Sequence, residues 1–263
     1  MEVGSGISFF SRSEALLGGA AMARLAAARA LVVGVGGVGS WCAEALVRTG
    51  LGHVALVDDD VVAESNVNRQ CPATARTVGR PKVEAMAERL REINPACEVV
   101  ARVSRFTGVA SVSSLTDYDL IVDAIDSVDC KAELILSATD AGVPLVSSMG
   151  AALRLDPTKV TVSRFEKVTG DGLAKALRQR FKRLQRFPAA KFSCVWSTEA
   201  PFSPAEAQRR GEEVSGSASP RLRGNNEKGS LMPVTATFGM CLASEAIRIL
   251  TAEDKSLAKG KTK

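Results

Sequence analysis

A single histidine stands among the 263 residues, and the six cysteines, at 42, 71, 97, 130, 194 and 241, form no CxxC pair. Structural zinc needs clustered cysteine and histidine ligands, so this composition argues against such a site and for reduced thiols. Histidine-based catalysis is not expected either. His53 opens an apolar stretch that reads as a strand, whereas ligands of open α/β sheets bind beyond the carboxyl ends. No charged start leads into an apolar core and cleavage site, and no apolar run reaches 18 residues. Neither a secretory signal nor an integral membrane segment is therefore expected, and the default location is cytoplasmic, with organelle or membrane association left open.

Acids are also absent from Gly172 to Ser197, part of a wider asymmetry. The net charge of +5 divides into −5 for residues 1–150 (13 basic, 18 acidic) and +10 for residues 151–263 (21 basic, 11 acidic). A polyanionic partner for the second half follows from that split.

Residues 31–39, Leu-Val-Val-Gly-Val-Gly-Gly-Val-Gly, run an apolar strand into a glycine turn. Gly34, Gly36 and Gly39 have the GxGxxG spacing, with Gly37 between them, which lets a backbone turn tightly and approach a phosphate at a helix N-terminus. Val38, Trp41, Cys42, Ala45 and Leu46 then recur at helical spacing. A second strand, His53 to Val57, ends in Asp58, Asp59 and Asp60, and Asp58 lies 24 residues beyond Gly34, where an acid can hold a ribose. Strand, turn, helix and acid together imply nucleotide binding.

Elsewhere, Ser11-Arg12-Ser13-Glu14 has capping-box spacing and predicts a helix to about Ala28. Gly79-Arg80-Pro81-Lys82 starts another, with proline in its first turn and Asn94-Pro95 at its end. Strands are expected at Glu98 to Val103, Leu120 to Ala124 and Val143 to Ser147, with a helix from about Asp129 to Ala141. This alternation predicts a Rossmann-like α/β fold, a mostly parallel sheet with helices on both faces. Beyond Gly150, strands are expected at Leu153 to Leu155 and Val160 to Phe165, then a basic helix from Gly172 to Gln185, and an apolar helix from Thr237 to Leu250. Lys175, Arg178, Arg180, Lys182, Arg183 and the following Arg186 form a candidate RNA-phosphate surface; a solvated helix face or an anionic membrane contact also fits. Residues 203–228 read as a mobile insertion, and Lys255 to Lys263 as a basic tail.

A dehydrogenase would be satisfied by the glycine turn and Asp58. It has no need of Asn68, Arg69, Lys82 and Asp126 as well, whereas a triphosphate site uses cations and amides for phosphate and an aspartate for magnesium. Singly, Arg69 and Lys82 also fit surface charge and Asp126 a helix cap. As a group they favour ATP over NAD.

Gly34 to Ser40, Asp58-Asp59-Asp60, Asn66 to Gln70, Gly79 to Lys82, Ile93-Asn94-Pro95 and Asp123 to Ser127 together resemble the adenylating core of the ubiquitin-activating-enzyme-like superfamily. Within it the chain is most similar to the tRNA threonylcarbamoyladenosine dehydratase family, through Ser11 to Glu14, Val38 to Trp41, Leu155 to Thr158, Cys194 to Glu199 and Val234 to Gly239. The zinc cysteines and thioester cysteine landmarks of many carrier-protein activators are missing.

The resemblance implies ATP and Mg2+, a homodimer, and a tRNA containing threonylcarbamoyladenosine as substrate. It makes residues 1–150 the adenylating core and residues 151–263 a basic substrate-binding extension packed on the same domain. Asp58 takes the ribose; Asp60, Asn66, Asn68, Arg69, Gln70, Lys82 and Ser127 line the nucleotide; Asp126 holds the metal; Arg69, Lys82 and Asp126 are catalytic, with Arg12 acting across the dimer. The implied reaction activates the threonyl carboxylate, and ring closure then expels the nucleotide with net loss of water. No enzyme nucleophile is needed, in keeping with the lack of a serine or cysteine triad. The alternative is adenylation of the C-terminal carboxylate of a sulfur-carrier or ubiquitin-like protein. Some family members carry a cysteine shortly before the segment equivalent to Val234; this chain has Arg223-Gly224-Asn225-Asn226 there.

Overall fold

The inner parallel strands of the central sheet send alternate side chains to two separate cores, so the expected two-faced sheet is present. In the computed structural model, which describes residues 9–109, 114–202 and 228–253, β1 (Arg29–Val33), β2 (His53–Asp58), β3 (Glu98–Val103), β4 (Leu120–Asp123), β5 (Leu145–Ser148), β6 (Val160–Arg164) and β7 (Ser193–Ser197) lie in the order β3-β2-β1-β4-β5-β7-β6. All neighbouring pairs are parallel except β6 with β7. Ala30 and Val32 of β1 join one core with helices α3 (Gly39–Thr49), α4 (Lys82–Ile93) and α7 (Met232–Thr251). Leu31 and Val33 face the other, covered by α5 (Val128–Asp140) and α6 (Gly172–Leu184).

The order reverses between β1 and β4: the chain steps outward to β3, then returns to the other side of β1. Such a switch point leaves a crevice at the carboxyl ends of the two strands.

Several local expectations need correction. The first helix is two, α1 (Ser11–Leu17) and α2 (Gly19–Ala27), broken at Gly18, whose φ is 81°. Ser11 is inside α1 and caps nothing, because Phe10 holds the N-cap position. Pro81 precedes α4 as its N-cap with an extended ψ of 132°. Residues 153–155 form no strand: Leu153 has φ 59°, and the backbone amides of Leu155 and Asp156 bind the Glu199 carboxylate at 3.1 Å. α7 begins five residues before Thr237.

By length and composition α7 is apolar enough to cross a membrane. Here it is a core helix, with Val234, Phe238, Leu242, Ala243 and Ala246 buried. Gly239 sets its closeness to α3: a Cβ there would lie 2.6 Å from the Val38 carbonyl oxygen and 2.7 Å from the Trp41 Cβ. Residues 203–227 and 254–263, which cover nearly all of the expected insertion and basic tail, lie outside the described residues.

Candidate nucleotide site at the carboxyl edge

The glycine turn leaves β1 with Gly34 at φ 91°, a backbone region that suits glycine. A Cβ at Gly34 would lie 2.6 Å from the Ala124 carbonyl oxygen, and one at Gly39 1.9 Å from the Gly34 carbonyl oxygen. Two glycines thus bring the β1 turn, the β4 turn and the first turn of α3 into backbone contact. The Ser40 hydroxyl closes the loop by donating to the Gly36 carbonyl at 2.6 Å.

Asp58, at the end of β2, accepts the Val35 amide at 2.6 Å and the Asp60 amide at 2.9 Å. Burial raises its pKa, against the opposing pull of Lys82 and the two amides. The acid assigned to ribose therefore also fixes the glycine loop to β2. Lys82, the first residue of α4, has a nearly buried side chain and pairs with Asp60 at 2.6 Å. Asp59 pairs with Arg105 at 3.1 Å.

In the 66–71 segment, Asn66 turns inward and its Oδ1 accepts the Ala63 amide at 3.1 Å, a role in the loop rather than toward the crevice. Asn68 Nδ2 donates to the Ser230 carbonyl at 3.0 Å, and Arg69 Nη1 donates to Ser65 O and Asn68 Oδ1 at 2.8 and 2.9 Å. Arg69 runs along the glycine turn, its Cγ 3.4 Å from the place a Gly37 Cβ would occupy. Gln70 is buried beside Gly36, and its Oε1 has no hydrogen-bond partner among the described residues.

α3 holds this segment from behind. Trp41 Nε1 donates to the Arg69 carbonyl at 2.9 Å, the Cys71 amide donates to Ser40 Oγ at 3.1 Å, and the Cys71 thiol donates to Glu44 at 2.8 Å. Glu44 also binds Arg48 and Arg89. Burial pushes Glu44 up, but hydrogen bonds from Arg89, Cys71 and Arg48 outweigh it and hold the carboxyl at about 2. Burial first, then the Glu44 carboxylate, push the Cys71 thiol up to about 12. Glu44 carries no signal in the sequence beyond a place on the amphipathic helix, and Trp41 stands out there only within the family-like stretch Val38 to Trp41; their partners are 27 and 28 residues away.

Asp126 and Ser127 are exposed in the turn after β4. Asp126 has no hydrogen bond or ion pair among the described residues, and the Ser127 N-cap makes no side-chain bond. Among the described residues, three acids within reach of one cation occur at Asp58, Asp59 and Asp60. Those carboxylates are already engaged by amides, Arg105 and Lys82, whereas the exposed Asp126 is unengaged and could hold a cation. Magnesium commonly takes one or two carboxylates and completes its octahedron with phosphate oxygens and water, which suits a lone exposed aspartate.

The basic helix divides. Arg178 belongs to the fold, donating from Nη2 to the carbonyls of Phe165 and Val168 at 2.9 and 2.7 Å and stacking 4.9 Å from the Phe165 ring centroid. Arg180 pairs with Asp129 and Arg186 with Asp140, both at 2.9 Å. Lys175, Lys182 and Arg183 remain exposed. Arg12 is exposed on α1, a helix with no buried residue.

The ThiF family matches residues 10–263. The chain belongs to the ThiF family. Within that family it groups with tRNA threonylcarbamoyladenosine dehydratases: it is 39% identical over 254 residues to that of Escherichia coli strain K12, covering 93% of this chain and 94% of the relative. The Bacillus subtilis dehydratase is 41% identical over 176 residues, 66% of this chain and 69% of the relative. The crystal structure of the E. coli dehydratase TcdA in complex with ATP matches with TM-score 0.79 and 37% identity, over 95% of this chain and 96% of that one. ThiF membership gives the glycine turn, the 66–71 segment and the β4 turn one shared context.

Proposed function

We propose that this protein is an ATP-dependent tRNA threonylcarbamoyladenosine dehydratase. The observation that carries the reading is the 39% identity to the E. coli dehydratase over 93% of this chain, together with the cluster at the carboxyl ends of β2, β1 and β4. The phosphates of ATP lie on the glycine turn, the ribose toward Asp58, and Arg69 and Lys82 neutralise phosphate charge; Asn68, Gln70 and Ser127 complete the lining. Lys82 must exchange part of its bond to Asp60 for phosphate. Magnesium, held by Asp126 and phosphate oxygens, would supply Lewis-acid stabilisation.

A substrate carboxylate oxygen attacks the α-phosphorus and pyrophosphate leaves, giving a mixed anhydride. The carbamoyl group of the same nucleoside then attacks the acyl carbon, and AMP departs with the former carboxylate oxygen. The ring product has lost the elements of water. Positioning and charge stabilisation suffice for both steps. Residues 1–150 form the adenylating core and the +10 half receives the tRNA, with Lys175, Lys182 and Arg183 on its exposed face. Phe9 and Leu16, 80% and 85% exposed beside Arg12, favour docking of α1 on a second copy, which would carry Arg12 to the partner's site. The setting is cytoplasmic.

The test is mass spectrometry of nucleosides from threonylcarbamoyladenosine-containing tRNA incubated with ATP–magnesium and digested mildly. ATP-dependent loss of one water is expected, and Asp126→Ala should abolish it while the protein stays folded. No loss of water from competent tRNA, with ATP bound, would turn the assignment to carrier-protein adenylation. Light scattering gives the oligomeric state, and a monomer would remove the role of Arg12 in trans.

A further inference from the structure

Lys131 is fully buried, and its ion partner Asp123, 2.9 Å away, is equally inaccessible. Asp123 ends β4 and Lys131 lies in the first turns of α5, so the pair spans the turn that presents Asp126. Lys131 Nζ also donates to the Ile125 carbonyl at 3.0 Å. Asp123 Oδ1 accepts the Ile125 amide at 3.2 Å, and Oδ2 accepts the Ser147 hydroxyl of β5 at 2.7 Å. Both polar groups of one peptide residue, Ile125, are thus bound to the two members of the pair. The next residue is Asp126. The preceding one, Ala124, receives Gly34 against its carbonyl and donates its amide to Val33 O at 2.9 Å.

A fully buried pair of this kind contributes little net stability, because desolvation offsets the attraction; well-packed apolar side chains often do as well or better. Its place is not among random core residues but directly under the turn that contacts the glycine loop. We propose that Lys131, acting through Asp123 and Ile125, is a positioning residue for Asp126. The staple holds the 124–127 turn in one conformation against Gly34, so that Asp126 is presented toward the nucleotide's cation without a reorganisation cost at the moment of reaction. Lys131 itself touches no reacting atom. The inference rests on the dehydratase reading for its kinetic arm, and the test separates the two.

Lys131→Met, Lys131→Arg and the double variant Asp123→Leu/Lys131→Met are compared with the wild type in thermal midpoint, ATP affinity, kcat and KM for dehydration, and hydrogen exchange of residues 124–127 with ATP bound. The double variant is expected to melt near the wild-type temperature, because losing the pair's desolvation cost offsets the partners lost by Ile125 and Ser147. Its kcat should fall about a hundredfold, the scale of an ångström misplacement, while the KM for tRNA stays within about threefold, since the tRNA surface is untouched. Exchange in the turn should quicken. Lys131→Arg should recover most of the kcat by keeping the charge and the hydrogen bonds to Asp123 and Ile125.

A double variant that folds with wild-type kcat and wild-type exchange in the turn overturns the proposal. If it does not fold, Ser147→Ala decides, since it removes a single hydrogen bond from the pair: kcat reduced about tenfold with exchange quickened only in the turn supports the staple, and no change in either overturns it. Wild-type protein that binds ATP yet leaves the tRNA unaltered would sink the dehydratase reading alone. The exchange arm would then still decide, and unchanged exchange in the folded variants would overturn the staple.

Discussion

Trp41 donates its indole N–H to the backbone carbonyl of Arg69 at 2.9 Å, joining the first turn of α3 to the segment that lays Arg69 along the glycine turn. The helix that begins at the glycine turn therefore also aims the arginine at it. Trp41→Phe removes the donor and trims the indole to a single ring, leaving a carbonyl that costs about 1–3 kcal/mol if it stays unpaired. The expected outcome is weaker ATP binding by about tenfold with a modest fall in melting temperature, measured by calorimetry and thermal unfolding. Unchanged ATP affinity would show that Arg69 is positioned without this bond.

Gly34→Ala meets two obstacles, the positive φ of 91° and an oxygen 2.6 Å from the new carbon. Left-handed backbone alone costs roughly 1–2 kcal/mol for other residues, and the contact with Ala124 O forces the two turns apart. Nucleotide binding should be lost. Gly37→Ala, whose Cβ would meet Thr235 Cβ at 3.3 Å and Arg69 Cγ at 3.4 Å, should retain binding at reduced affinity. Titration with ATP distinguishes them, and equal losses would show that the loop tolerates no side chain anywhere.

Glu44 is held at about 2 in the folded protein, below the unfolded value near 4.3. A depressed carboxyl contributes stability above the unfolded pKa and loses it as pH falls through the folded one. Wild-type melting temperature should therefore fall between about pH 4.3 and 2 more steeply than that of Glu44→Gln; parallel curves would place the acid sensitivity elsewhere.

With its thiol pushed up to about 12, Cys71 is almost wholly protonated at neutral pH and donates to Glu44. Thiol reagents attack the thiolate. Iodoacetamide at pH 7.5 should leave Cys71 unlabelled in the folded protein over the time that labels a free thiol, as read by peptide mass spectrometry. Rapid labelling there would mean that the Glu44 contact is broken in solution.

Lys182→Glu combined with Arg183→Glu should weaken tRNA binding and reduce its dependence on salt, with little change in melting temperature, because both side chains are exposed. Arg178→Ala should do the reverse, lowering the melting temperature through loss of its bonds to Phe165 O and Val168 O. Filter binding across a salt series checks the first expectation and thermal unfolding the second. An unchanged salt slope in the double variant would move the tRNA surface away from α6.

The amino-acid sequence by itself determined the Rossmann-like half, because its signals are local: a glycine spacing, strand and helix periodicities, and acids at strand ends. Tertiary structure decided what depends on pairing across distance. β7 is buried along its whole length, so its five residues show no alternation, and only the neighbouring β5 and β6 make them a strand. In the basic helix, charge alone marks Arg178 and Lys182 alike. Their fates diverge because one faces Phe165 and the open carbonyls of the 165–168 turn while the other faces solvent. Asp123 and Lys131 are eight residues apart, and they become one buried ion pair where β5 and its serine close over them. Short-range patterns specify where backbone elements begin and which face they bury, but which polar groups lose their water depends on how those elements pack.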